Sequence, residues 1–473
     1  MTESHQKISL KEKISFGFGD LASVLYWQTF MLYFTYFYTD VFLIPLGAAA
    51  SMFLISRIFD GINDPVMGII ADRTETKWGK FRPYLLWLCV PFAVAGVLTF
   101  TVPDFGETGK LIWAYATFFL IMMLYTAINI PYTAMLGVIS PDSNERTSVS
   151  SIKFLFAFGA GIIVSATLLP MVKMFGGGNE AQGWQYSFIV YGIAAIIFFL
   201  IAFKGTKERV KPPKSQKTSI KNDIKDLLSN KPWVILLLTT ITFILFVAVR
   251  SSVTAHYFKY VIGEQSVSLP FMNADTYSFE ALVSVFNTIG QVASLIGVLG
   301  VSWFAKKIGK KKAFIALLSI AIFSTAAFYF LSSDQLGLIY FFQITGSLSG
   351  GPVSVLLWAM YADTADYSEW KKGRRATGLI FSASTMSQKF GWAIGAYVAL
   401  TLMASVGFEP NAEQTSDSLS GLLLLFSLIP AGLGIISIVL CLFYPLSDKD
   451  VDKIVEDLTE RRREREAKEE IVV

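Results

Sequence analysis

Twelve apolar segments, each about twenty residues long or somewhat longer, set the terms on which this chain can fold. They run over 17–42, 46–71, 83–103, 111–138, 149–172, 184–203, 233–262, 279–305, 313–332, 337–362, 377–405 and 419–445. A bilayer core about 30 Å thick is crossed by about 20 helical residues rising 1.5 Å each. Inside hydrocarbon a helix satisfies its own backbone polar groups, so the expected element is a transmembrane helix at every segment. Met1–Ser15 is polar and carries no apolar run of a cleavable signal. Composition agrees: 53% of residues are hydrophobic and only 16% charged, against about 25% charged in soluble domains. So few charges cannot clothe a soluble fold of this size. A soluble enzyme and a disordered chain are excluded. A net charge of +4, scattered along the sequence, excludes a nucleic-acid partner. Cys89 and Cys441 lie in apolar runs and His5 and His256 are the only histidines, so no disulfide framework or His-based metal centre is expected.

The basic residues orient the chain. Of its 40 Lys and Arg, 33 fall in connections on one side and only Lys110 and Lys173 on the other. Basic loops stay in the cytoplasm, so both termini are expected there and the number of spans must be even. The remaining five, Arg57, Lys153, Arg250, Lys259 and Lys389, lie inside the apolar segments. A basic residue at mid-membrane costs roughly 2.5–3.5 kcal/mol on insertion scales and usually faces a bundle interior. Lys259, near the end of its segment, could instead reach the interface.

The longest internal polar stretch, Lys204–Lys231, holds nine basic residues and divides the segments six and six. The expected fold is an all-α membrane protein of twelve transmembrane helices on the plan of major-facilitator carriers. Residues 1–203 form one six-helix half, 204–231 a basic cytoplasmic linker, 232–445 the second half and 446–473 a charged cytoplasmic tail that reads as a short solvated helix. Ala134-Met135 before Glu145-Arg146-Thr147 is echoed by Ala359-Met360 before Arg374-Arg375-Ala376-Thr377, each followed by a buried lysine, Lys153 or Lys389.

The second segment carries Ser56-Arg57-Ile58-Phe59-Asp60-Gly61-Ile62-Asn63-Asp64-Pro65. Offsets of three and seven place Asp60 and Asp64 on the face of Arg57, with Asn63 beside it. Two carboxylates one turn apart repel unless a cation or proton lies between them, and Arg57 offsets only one. A coupling-ion site for Na⁺, Li⁺ or H⁺ is the functional reading; an inter-helix salt-bridge network is the plainer alternative. In the fourth segment Tyr125, Asn129 and Tyr132 share a face, Thr126 adds a hydroxyl within reach of the ion, and Pro131 frees a carbonyl. In the first segment Tyr26 and Trp27 offer aromatic faces to the C–H face of a sugar, with Asp20 nearer the cytoplasmic end. Lys153, Arg250 and Lys389 are candidates for substrate hydroxyls or a carboxylate, and Lys389 also calls for an acid partner, Asp60 or Asp64. Asp72 and Arg73 after Gly68, and Asp363 and Asp366 with Arg146, Arg374 or Arg375, read as a gating network at the cytoplasmic face.

Gly17-Phe18-Gly19-Asp20, Tyr38-Thr39-Asp40-Val41, Arg57–Pro65, Trp78–Pro83, Tyr125–Tyr132, Ala362–Tyr367 and Lys389 together resemble the glycoside–pentoside–hexuronide:cation symporter family. The resemblance runs from the first segment to the eleventh. It implies a major-facilitator fold working by alternating access, with a cation site at Asp60, Asn63, Asp64 and Thr126. It also implies a sugar site in which this chain departs from the melibiose-carrying pattern. Val24 stands where that pattern has an acid, Asn129 where it has a second acid, Thr133 where it has a Trp, and Lys153 where it has an Arg. The coupling machinery therefore looks retained and the specificity changed. The expected protein is a monomeric, multi-pass carrier of the plasma membrane (the inner membrane in a bacterium), surrounded by lipid, without a cofactor and not an enzyme. It would couple Na⁺ or H⁺ to uptake of a sugar, glycoside or hexuronide. A carrier of another solute, such as a lysolipid, and a non-transporting solute sensor are the competing readings.

Overall fold

A computed structural model describes residues 7–140, 143–209, 227–269, 272–372 and 377–472. Each expected segment lies on helix. The first is α1 (Leu10–Tyr36), which passes into a π-helical turn (Phe37–Val41). Then come α2 (Leu46–Arg73), α3 (Arg82–Thr99), α4 (Glu107–Val138), α5 (Ser143–Gly176) and α6 (Glu180–Gly205). Beyond the linker, α7 (Lys231–His256) also ends in a π-helical turn (Tyr257–Ile262), followed by α8 (Phe279–Ile308) and α9 (Lys310–Ala327). The series closes with α10 (Leu336–Lys372), α11 (Thr377–Ser405), α12 (Ser416–Phe426), α13 (Leu428–Leu442) and α14 (Asp448–Val472). Pro65 and Pro131 sit inside α2 and α4 without ending them.

Two local features differ from the sequence expectation. The connection after α7 is a hairpin of β1 (Gln265–Leu269) and β2 (Met272–Tyr277), antiparallel with Gln265 opposite Tyr277. The twelfth segment is broken at Ser427 into α12 and α13. Pro430 has no N–H to continue the ladder there, and the Ser427 hydroxyl turns back onto the Leu423 carbonyl at 2.5 Å.

Eight stretches of the described residues are long and apolar enough to cross a membrane: α3 to α9, and α12 with α13. Besides the charged tail helix α14, the long helices outside that set are α1, α2, α10 and α11. They are the ones that carry Asp20, the Arg57–Asp64 run, Asp363 with Asp366, and Lys389. Polarity that lowers a helix's hydropathy is tolerated only where the side chains face protein or water.

The chain forms two compact units. The first comprises residues 1–215, 251–291 and 396–422, and the second 216–250, 292–395 and 423–473. In the first, α1 packs along α5 and α6, α3 along α4 and α6, and α2 along α4. Its interior is aromatic: Trp184 lies against Phe37 and Phe100, and Phe100 stacks on Phe188. In the second, α9 packs along α10 and α13 around Phe314, Leu318, Leu357, Met360, Tyr361 and Cys441. The tail helix α14 is not wholly solvated. It buries Val451, Ile454 and Leu458 in that core, and Trp370 of α10 donates to Asp457 Oδ2 at 2.8 Å. Its start is a capping box, in which the Ser447 amide donates to Asp450 and the Asp450 amide to the Ser447 hydroxyl. The Ser447 bonds hold the Asp450 carboxyl below the usual range.

Each unit closes one helix start with a carboxylate brought from far along the chain. In the first, Glu208 accepts the amides of Lys80, Phe81 and Arg82 at 2.8, 2.8 and 2.9 Å. These are unpaired donors at the positive end of α3, where an anion is stabilised. Gly79 makes room: its φ is +112°, and a Cβ there would lie 2.5 Å from the Glu208 carboxyl carbon. In the second unit Asp448 accepts the Lys310 amide at 3.1 Å at the start of α9. Gly309 (φ +89°) provides the matching gap.

Candidate functional site

The helical spacing of Arg57, Asp60 and Asp64 is realised on α2 in the first unit. Arg57 Nη1 donates to Asp60 Oδ2 at 2.8 Å, and the two residues are 2% and 3% exposed. The guanidinium lies over the rings of Trp27 and Phe53, 4.8 and 4.9 Å from their centroids. One turn further, Asp64 Oδ1 accepts the Thr126 hydroxyl of α4 at 3.0 Å. Asn63 and Asp64 are half-buried, so this end of the run is open to a small ion while the Arg57–Asp60 end is sealed. With Arg57 cancelling one acid, the run carries one net negative charge, which suits a monovalent cation or a proton. Two carboxylates, an amide carbonyl and a hydroxyl are the oxygen donors a hard cation prefers.

The aromatic platform adjoins the ion end. Trp27 of α1 stacks on Tyr125 of α4, with centroids 5.4 Å apart and planes 27° apart. Tyr125 precedes Thr126, and Arg57 touches both Asp60 and Trp27. The ion ligands of α2 and α4 and the aromatic faces of α1 and α4 therefore meet at one turn of α4, Tyr125-Thr126. A polar pair lies along α1 on the other side: Lys153 Nζ of α5 is 3.7 Å from Asp20 Oδ1 and 5.6 Å from the Tyr132 ring centroid. The Tyr132 hydroxyl is committed to the Phe16 carbonyl at 2.7 Å. The Asn129 amide turns back to the Tyr125 carbonyl at 3.1 Å.

Some expected residues lie elsewhere. Tyr26 does not join Trp27. Consecutive helix positions point about 100° apart, and Tyr26 is fully buried against Phe92 of α3 and Phe188 of α6. Lys259, near the end of its segment, donates to Asp40 Oδ1 at 3.0 Å. Arg250 and Lys389 belong to the second unit. There Arg250 Nη2 donates to Gln343 Oε1 at 2.7 Å, and its guanidinium lies between the rings of Phe328 and Phe426. Asp363 is held by Lys310 of α9, a partner the spacing did not suggest. Asp366 is half-buried on α10, and Arg73 is exposed at the end of α2. Arg146 donates to the Ser140 carbonyl at 2.9 Å. Arg374, Arg375 and the side chain of Asp72 lie outside the described residues.

Sequence reasoning missed Phe53, although it stands four residues before Arg57 and so on the same face, the spacing that places a ring beneath a cation. It also missed Gln343 and Lys310, which become neighbours of Arg250 and Asp363 only through helix packing.

Residues 15–448 match the family model described as MFS/sugar transport protein. The chain is 34% identical over 463 residues to the inner membrane symporter YicJ of Escherichia coli (strain K12), covering 96% of each. It is 36% identical over 462 residues to the isoprimeverose transporter of Lactiplantibacillus pentosus, covering 96% of this chain and 92% of the other. Among solved structures it is similar in fold to a D-xylose–proton symporter, with a TM-score of 0.64 at 13% identity over 93% of this chain and 98% of that one.

Proposed function

The chain belongs to the MFS/sugar transport protein family and is a multi-pass membrane transporter rather than an enzyme, and from that premise we propose that it couples Na⁺ or H⁺ to the uptake of a sugar or glycoside by alternating access. Twelve spans with both termini in the cytoplasm are part of this reading, supported by the twelve apolar segments and the one-sided basic residues. Relatives named as an isoprimeverose transporter and a glucuronide carrier homologue favour glycosides and hexuronides as the substrate class.

The observation that carries the proposal is the sharing of the Tyr125-Thr126 turn of α4 between ion ligands and aromatic platform. Asp60, Asn63, Asp64 and Thr126 hold the cation. Binding offsets the repulsion between the two acids and fixes the α4 turn at Thr126. That same turn sets Tyr125 against Trp27, so the ion orders the surface on which a sugar ring stacks. A ligand gains affinity when a first ligand removes the cost of ordering its site. Asp20 and Lys153 supply the polar contacts to hydroxyls, and the Lys153 ammonium favours a carboxylate-bearing sugar. Lys389 and Arg250, in the second unit, are further candidates for substrate contacts, and Arg73, Arg146, Asp363 and Asp366 for gating at the cytoplasmic face.

Uptake into proteoliposomes tests this reading. A panel of xylosides, glucosides and glucuronides is offered with a Na⁺ gradient, a pH gradient, or neither. One ion gradient should drive accumulation of one sugar class, and Asp60→Cys or Asp64→Cys should abolish the gradient effect. Flux indifferent to both gradients and to both substitutions refutes the coupling site.

A further inference from the structure

Asp40 belongs to a motif that the ion and sugar sites leave unused, yet it is among the most heavily bonded acids of the first unit. Its side chain is fully buried. Oδ2 lies 2.9 Å from His256 Nε2 and accepts the Thr39 hydroxyl at 2.7 Å. Oδ1 accepts Lys259 Nζ at 3.0 Å and also the Tyr260 hydroxyl. A third segment joins through Asn411. Its side-chain amide donates to the Asp40 carbonyl at 2.7 Å, its Oδ1 accepts Lys259 Nζ at 2.6 Å, and its own amide donates to the Tyr260 hydroxyl at 2.8 Å. The end of α1, the end of α7 and the loop before α12 thus converge on one carboxylate.

The backbone is shaped for this junction. Both π-helical turns among the described residues fall here, one carrying Asp40 and the other Lys259 and Tyr260. Such turns are rare, and each one re-aims side chains within a helix. Asn411 holds a φ of +59°, a region that non-glycine residues seldom occupy unless their surroundings impose it. Outside the junction lies an open cavity of 770 Å³ lined in part by Thr39, Glu107, Lys110 and Pro410. Toward the middle of α1, Tyr36 donates to Glu180 at 2.6 Å and Asn287 donates to the Tyr33 hydroxyl at 3.3 Å.

We propose that Asp40 is the hub of a latch that closes the transport path at the end of α1 remote from the N-terminus, with Lys259, Tyr260, His256 and Asn411 as the donors that release when the path opens outward. This rests on the transporter reading. A hub of charge-assisted bonds suits a gate because the bonds form or break together. The carboxylate and the ammonium compensate each other while buried, and each regains water when the latch parts. Asp40 and Lys259 are positioning residues and touch neither ion nor sugar.

The test is labelling of Asn287→Cys by a membrane-impermeant maleimide applied to intact cells. With Asp40 intact, labelling should be slow. Asp40→Asn and Lys259→Met, which remove one charge-assisted contact from either side, should each raise the rate by about tenfold. The double substitution should add little to Asp40→Asn, since the Lys259 ion pair is already lost with the Asp40 charge. Asn411→Ala, which leaves the buried charges alone, should give a smaller rise and keeps the latch testable if the charge variants fail to insert. Equal rates in parent and variants overturn the latch. So does an equal rise at native Cys89, buried in α3, since that would mean general loosening. Labelling needs no sugar flux, so a failed uptake assay and a failed latch are distinguishable.

Discussion

Removing the Asp60 charge separates the two things that the Arg57–Asp60 pair can do. Arg57 is 2% exposed, and its Nη1 donates to Asp60 at 2.8 Å. Its Nε and Nη2 find no acceptor among the described residues. Asp60→Asn therefore leaves a buried guanidinium without its counter-charge, which costs about 3–5 kcal/mol. The faces of Trp27 and Phe53, worth about 0.5–2 kcal/mol each, are present before and after and do not offset the loss. Arg57→Gln with Asp60→Asn removes both charges and keeps a hydrogen-bonding amide pair, so the double variant should recover about 2–3 kcal/mol relative to Asp60→Asn. The assay is thermal unfolding of purified protein in one detergent at one fixed salt. The expected order of stability is parent, then double, then Asp60→Asn. A double variant no more stable than Asp60→Asn refutes the buried-pair argument. The same proteins report on function: the double variant should be folded yet accumulate no sugar, because the ion has lost Asp60. Accumulation restored together with stability would reduce Asp60 to a structural partner of Arg57.

Further outcomes follow from single contacts. Thr126→Val removes the 3.0 Å bond to Asp64, so half-maximal activation of uptake should need about tenfold more coupling ion. Saturating Na⁺, if Na⁺ is the ion, should stabilise the parent by about 1.4 kcal/mol at ten times Kd, and Asp64→Asn should lose that shift in a thermal scan. Gly79→Ala puts a Cβ 2.5 Å from the Glu208 carboxyl carbon on a residue with φ +112°. It should destabilise by about 1–3 kcal/mol, and adding Glu208→Ala should not restore the parent midpoint, since the α3 amides then lack their acceptor.

The helices were legible because hydropathy and length are properties of contiguous residues, and so were the contacts made at fixed helical offsets: Arg57 to Asp60 at three residues is the same statement in sequence and in space. Legibility fails at two scales. At the scale of one residue, apolar helices buried on most sides carry no periodic stripe, so nothing in the sequence told Trp27, which stacks on Tyr125, from Tyr26, which is buried against α3 and α6. At the scale of the fold, an acid's partner is set by packing. Asp40 meets Lys259, 219 positions away. Asp363 meets Lys310 although Arg374 and Arg375 stand closer in sequence.

The two carboxylate caps carry the argument about internal repetition further than the sequence echo did. Glu208 follows α6 and closes the start of α3; Asp448 follows α13 and closes the start of α9. In each case a glycine with positive φ opens the space the acid occupies, Gly79 in one unit and Gly309 in the other. Counted in apolar segments, the donor amides open the third segment in the first instance and the ninth in the second. The acids lie just beyond the sixth and the twelfth. The correspondence escapes a search for repeated words because it is chemical rather than literal. The acids differ in type, and one takes three amides where the other takes one. What repeats is a solution to a shared problem, four unpaired N–H groups at the start of a helix that begins beside a basic loop. An anion just past the segment three later satisfies them and, in each unit, ties that point of the chain to the helix it caps. Such ties stiffen each unit from within, which the proposed alternating access asks of bodies that move.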